Sequence, residues 1–312
     1  MLNIEDVFLN LMELFLLIGV GYGAVRLNLL PASASKLFTA LLMNITLPAT
    51  IFTSLARPYD PAFFSSGVLI AALGTGFYLL YGAVCLLLVR IFRIPAGRQG
   101  VWVLGCVFSN NGYMGFPIAL ALFGEEGLVL AVLLGIPFNL LSYTSGARLV
   151  SMDRAAAGGA PPLSWRALLL TVVNGSTLLG LLFFAAQWPV PAVLSAPLTY
   201  LSNVTTPLSM LIIGMSLSGG DLLTPLRDWS VLSGCGVRLL LLPLLTLGLV
   251  KLLPLDAPLV VGVLVVIMAM PSAALTSLLA EAYGGDTEFA AQLVFLSSLL
   301  CLVTIPLISL LL

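Results

Sequence analysis

One stretch of sequence decides the fold: Ser109-Asn110-Asn111-Gly112-Tyr113-Met114-Gly115-Phe116-Pro117 interrupts an apolar run that is long enough to cross a membrane. A regular helix cannot continue through it, because Pro117 lacks an N–H and its ring clashes with the preceding turn. Gly112 and Gly115 also lower the cost of irregular dihedral angles. Irregular backbone exposed to lipid would cost several kcal/mol for each unsatisfied group. The break must therefore face protein or water inside a larger membrane protein.

The composition around this stretch is that of a membrane protein. Of 312 residues, 60% are hydrophobic and 8% are charged, and the mean hydropathy is +1.16, whereas soluble domains are about 25% charged. A soluble fold, a disordered chain and a nucleic-acid-binding protein are thereby excluded. The chain has no histidine, and its four cysteines lie in apolar runs without CxxC spacing. We therefore expect no metal site and no cofactor.

Ten apolar segments are candidates for spanning the lipid bilayer, since a membrane helix needs about 20 mostly apolar residues. If the N-terminus is outside, nine Lys and Arg fall in cytoplasmic loops and two fall in outer loops. The positive-inside rule then predicts an all-α, multi-pass protein of the inner (plasma) membrane with both termini outside. The ten segments lie at 7–25, 37–56, 66–92, 99–123, 127–148, 167–187, 192–216, 230–253, 258–282 and 288–311.

A short motif occurs twice in the chain. Residues 42–48 and 201–207 both read L-x-N-[IV]-T-x-P, in the second and seventh segments. A duplicated unit of five spans must enter the membrane inverted, which is the usual architecture of secondary transporters. The sequence therefore predicts two five-helix repeats, 1–148 and 167–312, joined by a cytoplasmic linker at 149–166. The alternative is a coincidence of composition.

The ninth segment contains a second break, Met268-Ala269-Met270-Pro271-Ser272. Proline suits the first position of a new half-helix, so we expect two discontinuous helices that cross at mid-membrane. Each second half would present free N–H groups and its positive dipole end, which suits a carboxylate. The amides of Asn110 and Asn111 would add donors to this substrate site. Alternatively, these amides only satisfy the unwound backbone.

Four other polar residues within or beside the spans are candidates for a functional role. Asn44 and Asn203 stand in the two copies of the repeated motif, where a helix–helix hydrogen bond explains them as well as substrate binding does. Arg238 lies inside the eighth segment, and a buried charge there is functional unless its side chain snorkels to the interface. Glu281 is the first candidate for carrying a coupled proton, and the alternative is that it lies in solvent.

The motifs resemble those of the auxin efflux carrier family in its bacterial form. The resemblance covers the whole chain in order, and the two break motifs are its specific part. It is carried by Asn110-x-Gly112-Tyr113-Met114-Gly115-x-Pro117, Asn44 with Pro48, Thr206-Pro207 before Gly214, Arg238 with Pro243, Ala269-Met270-Pro271-Ser272-Ala273, and then Ala280, Tyr283, Gly284, Asp286, Ser297, Ser298, Thr304 and Pro306.

This resemblance implies a fold similar to that of bile acid symporters and sodium/proton antiporters, with two broken crossover helices. Spans 1, 2, 6 and 7 would form a scaffold that homodimerises. Spans 3–5 and 8–10 would form a moving transport domain of the elevator type. Members carry organic anions such as auxin or small dicarboxylates. The resemblance of the two break motifs implies a substrate site that includes Gly112, Tyr113, Pro117, Met270, Pro271 and Ser272. The long central loop of plant carriers and the amide after the ninth-span proline are both missing here, which favours a different or smaller anion than auxin.

Three functions fit such a chain to different degrees. A secondary carrier of a small carboxylate explains the inverted repeat and the two crossing breaks. A passive anion channel or facilitator would not need them, and an intramembrane enzyme would show a Ser/His or Asp pair, a metal set or Asp-rich motifs. No carboxylate stands beside either break, so uniport, exchange or proton-linked movement is favoured over sodium symport.

The membrane orientation leads to a labelling prediction. In intact cells, a membrane-impermeant thiol reagent should modify single cysteines introduced at either terminus and in the loops near residues 60, 125, 189 and 255. The reason is the excess of Lys and Arg in the alternate loops. A variant without the four native cysteines is the parent and control. Protection of either terminus would contradict the ten-span topology.

Overall fold

The computed structural model of the chain describes residues 4–31, 33–58, 60–155, 171–219 and 223–312. These residues are almost entirely helical, and within them no β-strand occurs apart from one isolated bridge. The high helical content follows from the apolar runs, because in a bilayer the backbone of each spanning segment must satisfy its own hydrogen bonds. The predicted all-α class is confirmed.

In the part of the first half that the structure describes, there are six α-helices and two π-helical turns. The π turns join α2 to α3 and lead into α6. The helices are α1 (Ile4–Arg26), α2 (Ala34–Leu41), α3 (Leu47–Leu55), α4 (Pro61–Ile91), α5 (Gln99–Val107) and α6 (Phe116–Ala155), and the π turns are Leu42–Thr46 and Asn111–Gly115.

Among the described residues, the second half contains eight α-helices and one π-helical turn. The π turn joins α10 to α11. The helices are α7 (Val172–Ala186), α8 (Ala192–Ser218), α9 (Leu223–Arg227), α10 (Trp229–Gly236), α11 (Leu242–Leu252), α12 (Pro258–Met268), α13 (Leu275–Tyr283) and α14 (Thr287–Ser309), and the π turn is Val237–Leu241.

Within the described ranges, seven helical segments are long and apolar enough to cross a membrane, and α7 and α12 are shorter apolar helices. The protein is therefore a multi-pass membrane protein, while the predicted number of ten crossings stays a prediction. The second part of the predicted fourth span joins the fifth in one segment, 111–151, in which Gly124 interrupts the helical dihedral angles with φ 68° and ψ −163°. Only glycine adopts such angles readily. Of the predicted linker 149–166, residues 149–155 extend α6, and the remainder lies outside the described residues.

Each π turn ends two residues before a proline. The prolines are Pro48, Pro117 and Pro243. A proline ring clashes with the carbonyl four residues earlier and offers that carbonyl no N–H, and a wider turn relieves this clash. The π turns contain Asn44, Asn111 and Arg238, so the prolines place three of the polar candidates in irregular helix.

The described residues form two compact units. The first unit comprises those within Met1–Leu69, Gly112–Leu133 and Ser164–Gly219, and the second comprises those within Ile70–Asn111, Leu134–Leu163 and Gly220–Leu312. Each unit takes segments from both halves of the sequence. The division into repeats at 148 and 167, and the assignment of scaffold and transport roles, stay predictions.

In the first unit, the two copies of the repeated motif are neighbours. The Thr50 hydroxyl, two residues after the first copy, lies 2.7 Å from the Thr205 hydroxyl in the second copy and donates to the Ser202 carbonyl at 3.3 Å. The backbones of the two copies differ, because the first forms a π turn while α8 continues through Pro207. Similar sequence therefore gives a contact between the copies without giving them the same local structure.

Helices α1 and α8 approach closely through glycine. A Cβ at Gly21 would overlap the Leu211 carbonyl, and a Cβ at Gly214 would overlap the Ile18 carbonyl. Small residues at such places let membrane helices come into backbone contact, since dispersion rather than the hydrophobic effect holds them together in lipid. These two glycines therefore set the distance between the two helices.

In the second unit, acidic side chains cap the N-termini of three helices. Asp153 accepts hydrogen bonds from the Gly100 and Val101 N–H groups at 2.8 and 3.0 Å, while Asp228 caps α10 and Asp286 caps α14. Arg98 bridges the latter two carboxylates at 2.6 and 2.7 Å. Burial lowers the pKa of Arg98, but the bonds and charges of Asp286 and Asp228 outweigh burial and raise it. The pKa of Asp153 is raised by burial, against the opposing N–H groups.

The close approach of α1 and α8 leads to a stability prediction. Gly21→Ala should lower the melting temperature of the purified protein, because overpacking typically costs about 1–3 kcal/mol. The matched control is Gly23→Ala on the same helix, where an added Cβ meets nothing within 4 Å. The control should be neutral or stabilising, since alanine favours helix over glycine by about 1 kcal/mol. Equal melting temperatures for the two variants would contradict this packing.

Candidate functional site

Helix α5 ends at Val107 because the residues that follow are poor helix formers. Phe108 has φ −98° and ψ 120°, an extended conformation. Ser109, Asn110 and Asn111 follow, and such side chains compete with helical hydrogen bonds by bonding to nearby groups. Regular α-helix resumes only at Phe116, after the π turn Asn111–Gly115. The chain is therefore extended at Phe108, and it then turns at Asn110, where the Asn111 N–H donates to the Ser109 carbonyl at 2.9 Å.

The second break lies between Met268, where α12 ends, and Leu275, where α13 begins. The expectation that Pro271 begins a half-helix is wrong, because α13 starts four residues later. Pro271 lies instead in the extended part of the break, where its fixed φ is tolerated and its missing N–H leaves no donor unsatisfied. Its carbonyl accepts a hydrogen bond of 2.8 Å from the Asn110 N–H.

The two breaks bond to each other as a minimal antiparallel pair, which we call the crossover (residues 108–111 with 270–273). Ser109 and Ser272 form an isolated antiparallel bridge, and the Ala273 N–H donates to the Phe108 carbonyl at 3.0 Å. The Ser272 N–H donates to the Ser297 hydroxyl at 3.2 Å, and the Ser272 hydroxyl donates to the Gly105 carbonyl at 2.8 Å. The N–H groups of Asn110, Ser272 and Ala273 are therefore engaged, which corrects the expectation that the residues after Pro271 offer free N–H groups.

Polar side chains of the crossover are buried and bonded to one another. Asn111 is 3% exposed and Asn110 is 7% exposed. The Ser109 hydroxyl donates to Asn111 Oδ1 at 2.7 Å, and Asn111 Nδ2 donates to the Tyr78 hydroxyl at 3.2 Å. Sequence reasoning missed Tyr78, because a single tyrosine in the apolar helix α4 carries no signal of its partner.

Arg238 lies against the crossover, and its side chain is completely buried, with 0% exposure. Its guanidinium donates to four backbone carbonyls: Nε to Met270 at 2.8 Å, Nη1 to Cys106 at 3.0 Å and Val107 at 3.1 Å, and Nη2 to Met268 at 2.5 Å. It therefore binds the C-terminal ends of both α5 and α12. The alternative in which Arg238 snorkels to the interface is wrong.

The remaining predicted site residues are divided between the two units. Met270, Pro271 and Ser272 lie with Asn110 and Asn111 in the second unit and are buried. Gly112, Tyr113, Pro117, Asn44 and Asn203 belong to the first unit. The Asn44 side chain is exposed and donates to the Ala40 carbonyl of its own helix, and Asn203 is also exposed. Glu281, on α13, is exposed as well.

Nothing in the described part of the chain resembles a metal site. No group of three or more His, Cys, Asp or Glu lies close enough to hold a metal ion there, and the cysteines Cys85, Cys106, Cys235 and Cys301 are buried.

Known proteins similar to this chain are transporters. The family described as "Membrane transport protein" matches residues 6–158 and 162–309. An "Uncharacterized transporter" of Methanothermobacter thermautotrophicus is 29% identical over 310 residues, covering 96% of each chain. A second uncharacterized transporter, from Methanocaldococcus jannaschii, is 26% identical and covers 94% of each chain. A protein of Rhizobium meliloti with the name "Putative malonate transporter" is 25% identical, covering 93% of this chain and 91% of its own length.

Proposed function

The chain belongs to the membrane transport protein family, the auxin efflux carrier family that its motifs resemble, and on that premise we propose that it is a secondary carrier of a small organic anion. The observation that carries the proposal is the crossover in the second unit, where two interrupted helices bond to each other. Carriers with broken helices hold substrate near the bilayer midplane, where irregular backbone lines a cavity. Family and relatives are transporters rather than enzymes.

The electrostatics of the crossover favour an anion. Arg238 covers the negative C-terminal ends of α5 and α12. The chain then continues into two new helical segments, which begin at Asn111 and Leu275. Their first turns carry positive partial charge, and helix N-termini bind carboxylates and phosphates readily. No Asp or Glu occurs in residues 105–117 or 268–280, so nothing in these segments repels a carboxylate.

The proposed substrate is a small dicarboxylate of the malonate type. Support comes from the name of the Rhizobium meliloti relative and from the absence of an amide shortly after Pro271. The side-chain amides of Asn110 and Asn111 would supply the donors, because the backbone N–H groups of Asn110, Asn111, Ser272 and Ala273 are already used. Of the other residues predicted for the site, Met270, Pro271 and Ser272 belong to the same unit as the crossover.

The proposed mechanism is an elevator-type movement in a homodimer. The first unit contains the helices predicted as scaffold, and the second contains most of those predicted to move. The second part of the fourth span and the start of the fifth differ, since Gly112–Leu133 belongs to the first unit rather than with the rest of the predicted transport domain. We propose that the scaffold helices mediate dimerisation and that both termini lie outside the inner membrane.

Counterflow tests whether the protein is a carrier. Proteoliposomes loaded with unlabelled malonate should accumulate labelled malonate transiently above its equilibrium level, because only a carrier exchanges substrate one for one. Liposomes without protein and liposomes loaded with chloride are the controls. Simple equilibration at the same rate with and without internal malonate would indicate a channel, and no protein-dependent uptake of any short carboxylate would refute the proposal.

The substrate site is tested by Asn110→Ala. Losing one hydrogen bond to a charged group is worth about 1.5–3 kcal/mol, so the dissociation constant for malonate, measured by calorimetry, should rise by roughly ten- to a hundredfold. Asn44→Ala is the matched control, since the Asn44 amide bonds within its own helix and its loss should change affinity far less. Wild-type affinity in both Asn110→Ala and Asn111→Ala would place the anion elsewhere.

A further inference from the structure

The surroundings of Arg238 are unusual for a buried cation. No carboxylate of the described residues forms an ion pair with it, since the ion pairs found there belong to Arg98. A charged side chain inside a membrane is costly and is normally paired. Arg238 is paired instead with four backbone carbonyls, from Cys106, Val107, Met268 and Met270.

The charge of these carbonyls matches one cation. Each helix C-terminus carries about −0.5 elementary charge from its unsatisfied carbonyls. Helices α5 and α12 both end at this guanidinium, so their ends together present about one negative charge. A single guanidinium neutralises it, and its planar fork serves several acceptors at once.

The position of Arg238 is fixed by its own helix. It lies in the π turn Val237–Leu241, which the following Pro243 favours. Beside it, the Tyr81 hydroxyl donates to the Leu242 carbonyl at 2.9 Å and also contacts the Thr246 hydroxyl. The guanidinium is therefore a fixed part of the second unit rather than a side chain that swings between two environments.

Carbonyl oxygens at interrupted helix ends are the ligands that cation-coupled carriers use for Na⁺. Here a covalently attached cation occupies these oxygens. We propose that Arg238 is a built-in counter-cation, a positioning residue that fills the place of a coupling ion, holds the two helix ends together and makes substrate movement independent of Na⁺. Only the consequence for substrate movement rests on the proposed function, because the role at the helix ends follows from the contacts of Arg238.

Thermal unfolding of the purified full-length protein tests the role at the helix ends. The wild-type melting temperature should be the same in sodium, potassium and choline chloride at equal ionic strength. Arg238→Ala leaves four carbonyls without a cation, so its melting temperature should fall by about 10 °C. Guanidinium well below denaturing concentrations, or sodium, should recover part of that loss, whereas choline should not. Arg90→Ala, which removes an exposed arginine, should respond to none of them.

A second variant keeps the test decisive if Arg238→Ala does not fold. Arg238→Lys retains the charge with fewer donors, so it should fold with a smaller loss and stay indifferent to sodium. Stabilisation of the wild type by sodium, or a folded Arg238→Ala that no small cation rescues, would overturn the proposal.

Malonate counterflow by the wild type, in sodium and in choline buffers, tests the consequence for substrate movement. Equal rates of malonate exchange are expected in the two buffers. A strict sodium requirement would contradict the proposal that Arg238 fills the place of a coupling ion. Absence of malonate movement in both buffers would count against the proposed substrate alone, because the unfolding measurements do not depend on it.

Discussion

The hydrogen bonds between the Arg238 guanidinium and four carbonyls are the interaction on which the second unit depends. Two helices must stop inside an apolar protein to make the crossover, and each leaves carbonyls without a donor. In water such groups would be solvated, but here they are buried. One arginine, completely enclosed, satisfies the ends of both helices. Without it, the two broken helices would bury carbonyl groups that have no hydrogen-bond donor. Removing one partner of such a buried arrangement costs several kcal/mol.

Because of this arrangement, the helix ends before the crossover and the helix starts after it differ in net charge. The negative helix ends meet a fixed cation, whereas the helical segments that begin after the crossover have no such compensation from a nearby acidic residue in the sequence. The proposed anion site would then require no further charge, because the amide side chains supply uncharged donors beside the positive ends of these segments. The antiparallel bridge between Ser109 and Ser272 holds the two segments in register, which is the preorganisation that a site of this kind needs.

The sequence was informative where scarce residues interrupt apolar runs. Proline, asparagine and glycine in an apolar run mark irregular backbone, so the interruption near Asn110 and the one near Pro271 are both predictable from the sequence. Composition likewise fixed the membrane class. The exact form of each break could not be predicted, because Pro271 fits a helix start and an extended strand equally well, and the bond from Asn110 that selects the second is a tertiary contact.

The hydrogen-bond partners of Arg238 could not be predicted from the sequence for a related reason. Backbone carbonyls are present at every residue, so no pattern of side chains in the sequence predicts that an arginine will bind four of them. The same holds for Tyr78, whose hydroxyl accepts from Asn111 across 33 residues of sequence. The π turns follow a simpler sequence pattern, since each precedes a proline at the same spacing. The comparable Pro207 lies in a continuous helix, which shows that this spacing alone is not sufficient to predict a π turn.

Hydrogen–deuterium exchange of the purified protein, with and without malonate, tests the central claim most directly. The account predicts slow exchange in peptides that cover residues 105–115 and 268–278, and a further slowing in both when malonate is added, because the anion would bind where the two interrupted helices cross. Malonate-dependent protection confined to other peptides, with these two unchanged, would contradict it.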